Sequence, residues 1–195
     1  MPQALVIHAA QDLRIENLPA EAMSPTQLRV RLRAGGICGS DLHYYQHGGF
    51  GSVRVKQPMV LGHEVSGEIV EVGSAVSTFQ VGQRVAISPS RPCGHCLHCQ
   101  SRRQNHCMNM RFYGSAMPWP HIQGAFRQDM VIDPSQAHIV ADSVSDAEAA
   151  MAEPLSVALH AVRRAGELLG QKVLVTGCGP IGALIVMVAR QAGAH

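Results

Sequence analysis

Residues 65–73 read VSGEIVEVG, a short alternating run that ends in glycine. Two comparable runs lie on either side of it, LRVRLRA at residues 28–34 and QRVAIS at residues 83–88. From residue 5 to about residue 140, runs of this kind are separated by Gly, Pro, Asn and Asp, which is typical of short strands joined by turns and long loops. The sequence therefore predicts a mainly β barrel or sandwich over this part of the chain.

Helical periodicity begins only near residue 145. In SDAEAAMAEPLSVALHAVRRAGEL, residues 145–168, Ser145 and Glu148 have the spacing of a capping box, and Pro154 should break or kink the helix. A strand over residues 172–176, a glycine-rich turn over residues 177–182 and an apolar helix to residue 192 would open a βαβ unit. We expect a β domain over residues 1–150, followed over residues 151–195 by a linking helix and an incomplete dinucleotide-binding domain.

The composition limits the class of protein. Hydrophobic residues make up 46% and charged residues 15%, and 16 basic against 14 acidic side chains give a net charge of +2 without a long run of one sign. This balance is typical of a globular protein and argues against a nucleic-acid partner. The N-terminus lacks the pattern of a secretory signal, and residues 173–189 are too short and too rich in glycine to span a membrane. We expect a cytoplasmic protein without a membrane partner.

Four cysteines occur within fifteen residues, separated by two, two and seven residues. Disulfides between such close neighbours would be unusual, whereas four thiolates on a loop suit tetrahedral zinc. A ferredoxin-type iron–sulfur cluster is disfavoured, because its fourth cysteine would follow after three residues and precede a proline. The interspersed histidines, His95, His98 and His106, are expected on the surface. The sequence thus predicts a structural zinc site with four ligands: Cys93, Cys96, Cys99 and Cys107.

Cys38 is isolated from the other cysteines, within GGICGSDLH at residues 35–43. His63, in the segment Gly62-His63-Glu64, lies 25 residues after it. A lone cysteine is most often an inert buried residue, but Cys, His and a carboxylate would also make three zinc ligands with a fourth position open for catalysis. The residues by themselves leave both interpretations open.

Five segments in the same order resemble the zinc-containing medium-chain alcohol and polyol dehydrogenases: GGICGSDLHYY, PMVLGHEVSGEIVEVG, CGHCLHC, AEPLSVALHA and VLVTGCGPIGALI. The resemblance covers essentially the whole chain and is closest to the polyol branch. It implies a GroES-like β-barrel followed by the start of a Rossmann domain. It also implies oxidation of a secondary hydroxyl of a small polyol or sugar acid by NAD or NADP, with one catalytic and one structural zinc, in a homo-oligomer.

The resemblance also implies roles for single residues. Cys38 and His63 would bind the catalytic zinc together with Glu64 or Glu153, and the choice between the two carboxylates stays open. Ser40 and His43 would relay the proton of the substrate hydroxyl. Tyr44 and Arg111 would contact substrate, Arg111 as a cation for a carboxylate group. The cofactor turn would consist of Gly177, Gly179, Pro180, Ile181 and Gly182.

Two other functions compete with this interpretation. The chain by itself could be a non-catalytic zinc-binding unit, because the strand that closes the cofactor site, expected about 20 residues beyond the glycine turn, would follow His195. A zinc-ribbon module that binds nucleic acid would explain the four cysteines. It would leave Cys38, His63 and the glycine turn unexplained, and it would require a basic surface.

Overall fold

A five-stranded antiparallel sheet with the order β11-β3-β7-β8-β12 dominates residues 1–150 of the computed structural model, which describes all residues 1–195. The three sequence runs that predicted strands correspond to β3, β7 and β8, so the prediction of a mainly β fold is confirmed. The strands are β3 (Leu28–Gly36), β7 (Glu64–Val72), β8 (Arg84–Ile87), β11 (Asp129–Ile132) and β12 (Ala137–Ile139).

A second sheet, with the order β2-β1-β6, joins the first one edge to edge. The backbone N–H of Leu5 donates to the carbonyl of Phe126 at 2.8 Å, and that of Gln128 donates to the carbonyl of Gln3 at 2.9 Å. These bonds connect the second sheet to the segment that leads into β11, and together the two sheets form a barrel. The strands are β1 (Gln3–Ala9), β2 (Asp12–Asn17) and β6 (Met59–Val60).

Short elements between the strands of the barrel carry most of the predicted site residues. Two hairpins are formed by β4 (Gly49–Phe50) with β5 (Val53–Arg54), and by β9 (Ser90–Arg91) with β10 (Arg111–Phe112). Three α-helices, α1 (Gly39–His47), α2 (Leu97–Gln100) and α3 (Asp146–Ala150), and two 3₁₀ turns, Gln104–His106 and Pro134–Gln136, complete this part.

The interior of the barrel is apolar. Side chains of the alternating strand positions, such as Leu28, Val30, Ile69 and Val85, are completely buried and pack in one cluster. Phe126 contacts this cluster and also a second one around Ile7, Tyr44 and Met59. Burial of these side chains is the main stabilising contribution, at about 25 cal/mol per Å² of apolar area.

The chain divides into two compact units, Met1–Ala150 and Met151–His195. The second unit contains α4 (Ala152–Ala165) and α5 (Pro180–Gln191), which pack through Val162, Ala189 and neighbouring apolar side chains. The helical region predicted over residues 145–168 is interrupted at Met151, so Pro154 lies in the first turn of α4, where a missing N–H is tolerated. No helix combines the length and the apolar character needed to cross a membrane.

The strand predicted over residues 172–176 is absent from the structure. The second unit contains no other strand, and a β-ladder requires a partner for its backbone groups. Leu174 is 88% exposed in this segment. The glycine turn and α5 that follow have the predicted order.

The capping box at α3 provides a pH-dependent test. The Ser145 N–H donates to Glu148 Oε2 at 2.8 Å, and the Glu148 N–H donates to Ser145 Oγ at 3.2 Å. The Ser145 hydroxyl also donates to Glu148 Oε2 at 2.7 Å, and this bond, with a smaller contribution from the Ser145 N–H, holds the pKa of Glu148 below its ordinary value. Because the ionised form is favoured in the folded state, its stabilising contribution is present at neutral pH and is lost as pH falls through the folded-state pKa.

Ser145→Ala should raise the Glu148 pKa measured by NMR, whereas Ser143→Ala should leave it unchanged; equal values in both variants would contradict the capping box.

Candidate metal centres

The first centre begins where β3 ends and α1 starts. Cys38 is the residue before α1 and has extended backbone geometry, which turns the chain from the strand into the helix. Its backbone N–H donates to Asp41 Oδ2 at 3.0 Å, so the side chain of the first helical turn fixes the position of Cys38. This is a local capping interaction of the kind that starts helices.

Asp41 also connects Cys38 to the segment that carries His63. Its second oxygen, Oδ1, accepts the backbone N–H of Gly62 at 3.1 Å, and the side chain is buried, with 3% exposed. One carboxylate thus holds two loops 21 residues apart in sequence. Asp41 is not among the site residues predicted from the sequence, although its position three residues after Cys38 is the spacing of a capping residue.

Glu64 is directed toward Cys38 by its strand partner. Gly36 and Glu64 are directly opposite each other in the β3–β7 ladder. A Cβ atom at Gly36 would overlap Oε2 of Glu64. The absence of a side chain at Gly36 therefore provides the space that the Glu64 carboxylate occupies.

These elements bring together a thiol, an imidazole and a carboxylate. The possible ligand atoms of Cys38, His63 and Glu64 all lie within 4.8 Å of one another; we call these three residues the Cys38 cluster. A hydrogen bond with His63, with a smaller contribution from Ser40, lowers the pKa of the Cys38 thiol against the opposing effect of burial. His63 is 6% exposed, and its ring lies 5.3 Å from that of Phe112. Sulfur, nitrogen and oxygen donors in this number suit zinc with one open position.

The two predicted relay residues lie on α1, close to the Cys38 cluster. Ser40 hydrogen-bonds to Cys38. His43 lies one turn further along the helix and is exposed, with its ring 6.1 Å from that of Phe50. Positions three residues apart share a helix face, but no hydrogen bond joins Ser40 to His43 directly. Glu153 lies in the first turn of α4, in the second unit.

The placement of Tyr44 does not support the predicted substrate contact. The side chain is 2% exposed and packs with Ile7, Met59 and Leu61. Its hydroxyl accepts the backbone N–H of Ala116 at 3.0 Å. Sequence position alone could not distinguish a pocket wall from this core position, because both suit an aromatic side chain.

Tyr44→Phe should therefore reduce the stability of the barrel. The substitution removes the acceptor for the buried Ala116 N–H, which should cost about 1–2 kcal/mol in the free energy of unfolding by urea. Tyr45→Phe is the matched control, since Tyr45 is 39% exposed and its hydroxyl has no hydrogen bond. Equal stability of the two variants would contradict the assigned role of the Tyr44 hydroxyl.

The second centre is the loop of residues 93–107, which we call the cysteine lobe. The possible ligand atoms of all four predicted cysteines lie within 4.8 Å of one another. The Cys93 and Cys99 sulfurs are 4.0 Å apart, and so are those of Cys96 and Cys107. Tetrahedral zinc with Zn–S bonds of ~2.3 Å requires sulfur separations of about 3.8 Å. The four thiols are thus spaced as such a metal would hold them.

The pKa values of these thiols differ because their surroundings differ. The backbone N–H of His95 is the main cause that lowers the pKa of Cys93 to about 6. Burial raises the pKa of Cys99 to about 12. Zinc binds thiolates, so a metal at this centre would displace the proton from Cys99.

Arg111 faces the cysteine lobe, and its role as a substrate contact stays a prediction. Arg111 and Phe112 are neighbours in β10, so their side chains point to opposite sides, and it is Phe112 that lies against His63. Arg111 lines a surface cleft of about 480 Å³ together with Arg91, Cys93 and Asp133. The alternation of a two-residue strand was not visible in the sequence.

The glycine turn has the geometry of a tight connection into a helix. Gly177 has φ +97°, and Gly179 and Pro180 are the cap and first residue of α5, which also contains Ile181. A Cβ atom at Gly182 would overlap the carbonyl oxygen of Gly177, so the close approach of helix and turn requires glycine there. Such a turn exposes N–H groups at the start of a helix, where an anionic group is favoured.

Comparison with known proteins identifies the family to which the first unit belongs. The model of the alcohol dehydrogenase GroES-like domain matches residues 24–142. The chain belongs to this family. The GroES-like domain accordingly comprises most of the first unit, including the Cys38 cluster and the cysteine lobe.

Two relatives and one solved structure show which members of the family are similar. L-Idonate 5-dehydrogenase (NAD(P)(+)) of Escherichia coli is 48% identical over 165 residues, which are 85% of this chain and 48% of that protein. Sorbitol dehydrogenase of Bacillus subtilis is 39% identical over 98% of this chain and 53% of the relative. The crystal structure of the E. coli L-idonate 5-dehydrogenase superimposes with a TM-score of 0.94 at 42% identity, covering 99% of this chain and 55% of that one. The chain thus spans about half the length of these GroES-like dehydrogenases.

Proposed function

We propose that this chain is the zinc-binding part of an oxidoreductase that transfers hydride between a secondary hydroxyl and NAD or NADP. The observation that carries the proposal is the convergence of Cys38, His63 and Glu64 within 4.8 Å. The family membership and the named dehydrogenases among its relatives support it.

Zinc bound by the Cys38 cluster would act as a Lewis acid that lowers the pKa of a coordinated alcohol toward neutrality. Cys38, His63 and Glu64 would hold the metal and leave one position for the substrate hydroxyl. Ser40, which hydrogen-bonds to Cys38, would receive the hydroxyl proton, and the exposed His43 would pass it to solvent. Glu64 is our choice for the third ligand, because it belongs to the cluster. For Glu153 we keep the alternative prediction that it approaches the metal or the substrate.

The cysteine lobe would hold a second zinc ion with a structural role. Four thiolates complete the coordination shell, so this metal would have no position for a substrate. The glycine turn from Gly177 to Gly182 would bind the cofactor pyrophosphate at the start of α5.

We propose a polyol or a sugar acid as the substrate, with oxidation of L-idonate to 5-ketogluconate as the specific reaction. The names of the idonate and sorbitol dehydrogenases support this class. We further propose that the full-length protein is a cytoplasmic homo-oligomer without nucleic-acid or membrane partners.

The test is a spectrophotometric assay of the full-length protein with NAD⁺ and NADP⁺, using L-idonate and sorbitol as substrates. We expect cofactor reduction that is lost on treatment with a zinc chelator and restored by zinc. Cys38→Ser should be inactive, and Cys178→Ser, which changes an exposed cysteine of the cofactor turn, should bind zinc like the unsubstituted protein. Absence of cofactor reduction by the zinc-loaded full-length protein with both substrates would contradict the proposed reaction.

A further inference from the structure

A second cleft on the barrel combines cations with an exposed aromatic ring. One wall is formed by the β4–β5 hairpin and the residues after it, including Arg54 and Lys56, and the other by residues 116–121, including Trp119. We call it the Lys56 cleft. Its volume of about 140 Å³ is below the range of ~300–1,000 Å³ for sites that enclose a drug-sized ligand. It therefore suits one end of a small molecule.

A buried histidine holds the two walls together. His121 is 6% exposed, and its Nε2 accepts the backbone N–H of Lys56 at 2.9 Å. Its Nδ1 lies 3.0 Å from the carbonyl oxygen of Pro118. Since Lys56 N–H can only donate, Nε2 must accept and Nδ1–H must donate, which fixes the neutral ring in one orientation. The cleft is thus preorganised.

The cations of this cleft lack acidic partners. Arg54 donates only to the carbonyl of Val53, Lys56 forms no ion pair, and no Asp or Glu lines the cleft. Arg91 in the cleft of Arg111 differs, because it is paired with Asp133 at 2.9 Å. Two uncompensated cations on one wall of a preorganised cleft favour an anionic ligand.

Trp119 adds an apolar surface beside these charges. Its side chain is 66% exposed, and its ring lies edge-on to that of His121, with centroids 5.4 Å apart. An exposed ring held in this way offers a face to the C–H groups of a carbon chain. A ligand with a carboxylate and a short polyhydroxylated chain would use both features.

We propose that the Lys56 cleft binds the carboxylate end of a sugar acid and thereby selects acidic over neutral polyols. The proposal rests on the proposed function for the substrate, and it assigns to Arg54 and Lys56 the role that the sequence suggested for Arg111. A structural link joins the cleft to the Cys38 cluster: the Ala116 N–H in the cleft donates to the hydroxyl of Tyr44. Tyr44 follows Cys38 by six residues on α1, about 9 Å along the helix axis.

Fluorescence of Trp119 tests the proposal without any enzymatic reaction. Trp119 is the single tryptophan of the chain, so its emission reports on the cleft directly. Gluconate should change the emission saturably. Sorbitol, which lacks the carboxylate, and acetate, which lacks the chain, should bind at least tenfold more weakly. Arg54→Gln and Lys56→Gln should each weaken gluconate binding roughly tenfold, the loss of one charge-assisted hydrogen bond.

Arg111→Gln is the matched control, because it removes the same charge from the other cleft. It should leave gluconate binding unchanged. Loss of binding in Arg111→Gln with retention in both cleft variants would overturn the proposal, and so would equal binding of sorbitol or acetate. If gluconate binds but the dehydrogenase assay shows no activity, only the proposed function is refuted. If the protein oxidises idonate but Arg54→Gln and Lys56→Gln bind gluconate as tightly as the unsubstituted protein, only the proposed role of the cleft is refuted.

Discussion

Cys99→Ser is expected to abolish zinc binding by the cysteine lobe while the barrel stays folded. Cys99 is the most buried of the four thiols, with 7% exposed, so no solvent ligand can easily replace its sulfur. Structural zinc sites in small domains contribute about 10–16 kcal/mol of binding free energy that depends on the full set of deprotonated ligands. None of the residues 93–107 belongs to the main core cluster of the barrel. The loss should therefore be confined to the lobe.

Zinc content and limited proteolysis measure this loss. The variant should contain one zinc ion fewer per chain, and trypsin should cleave at the exposed Arg102 and Arg103 much faster than in the unsubstituted protein. Cys178→Ser replaces an exposed cysteine outside both centres and should retain zinc and resistance. Unchanged zinc content in Cys99→Ser would show that the lobe is not a tetrathiolate site.

Asp41→Ala should destabilise the barrel and impair the Cys38 cluster together. Alanine leaves the N–H groups of Cys38 and Gly62 without their acceptor, at a cost of about 1–3 kcal/mol for the buried Gly62 N–H and less for the part-buried Cys38 N–H. Because these bonds hold the residues that precede α1 and His63, the ligands should also lose their alignment. Unfolding by urea should show a loss of about 2–4 kcal/mol, and zinc affinity of the cluster should fall.

Asp142→Ala provides the comparison for Asp41. Asp142 is an exposed carboxylate without a hydrogen bond, so its removal changes the net charge by the same amount without affecting either loop. A variant at Asp41 that is as stable as the one at Asp142 and binds zinc normally would contradict the role of the carboxylate in positioning the ligands.

The parts of the fold and site that are encoded locally could be predicted from the sequence. The runs that became β3, β7 and β8 carry their alternation within nine residues or fewer, and the four cysteines of the lobe lie in a single loop. The capping box of Ser145 and Glu148 is likewise a matter of spacing alone. The proximity of Cys38 and His63 was predicted from the resemblance to the dehydrogenase family and not from their spacing in the sequence.

The features that escaped prediction depend on contacts between distant segments. Whether Tyr44 faces a pocket or the core depends on Ala116, which is 72 residues away. The side of β10 on which Arg111 lies depends on where Phe112 meets His63. No strand forms at residues 172–176, because the second unit contains no neighbouring strand with which it could pair. Asp41 bridges two backbone groups and has no signature beyond its distance from Cys38.

The most direct test of two separate metal centres is the zinc content per chain, measured by elemental analysis after purification without chelators, in the unsubstituted protein and in Cys38→Ser. We expect two zinc ions in the former and one in the latter. One zinc ion in both proteins would leave only the cysteine lobe as a metal site and would contradict the proposed catalytic centre.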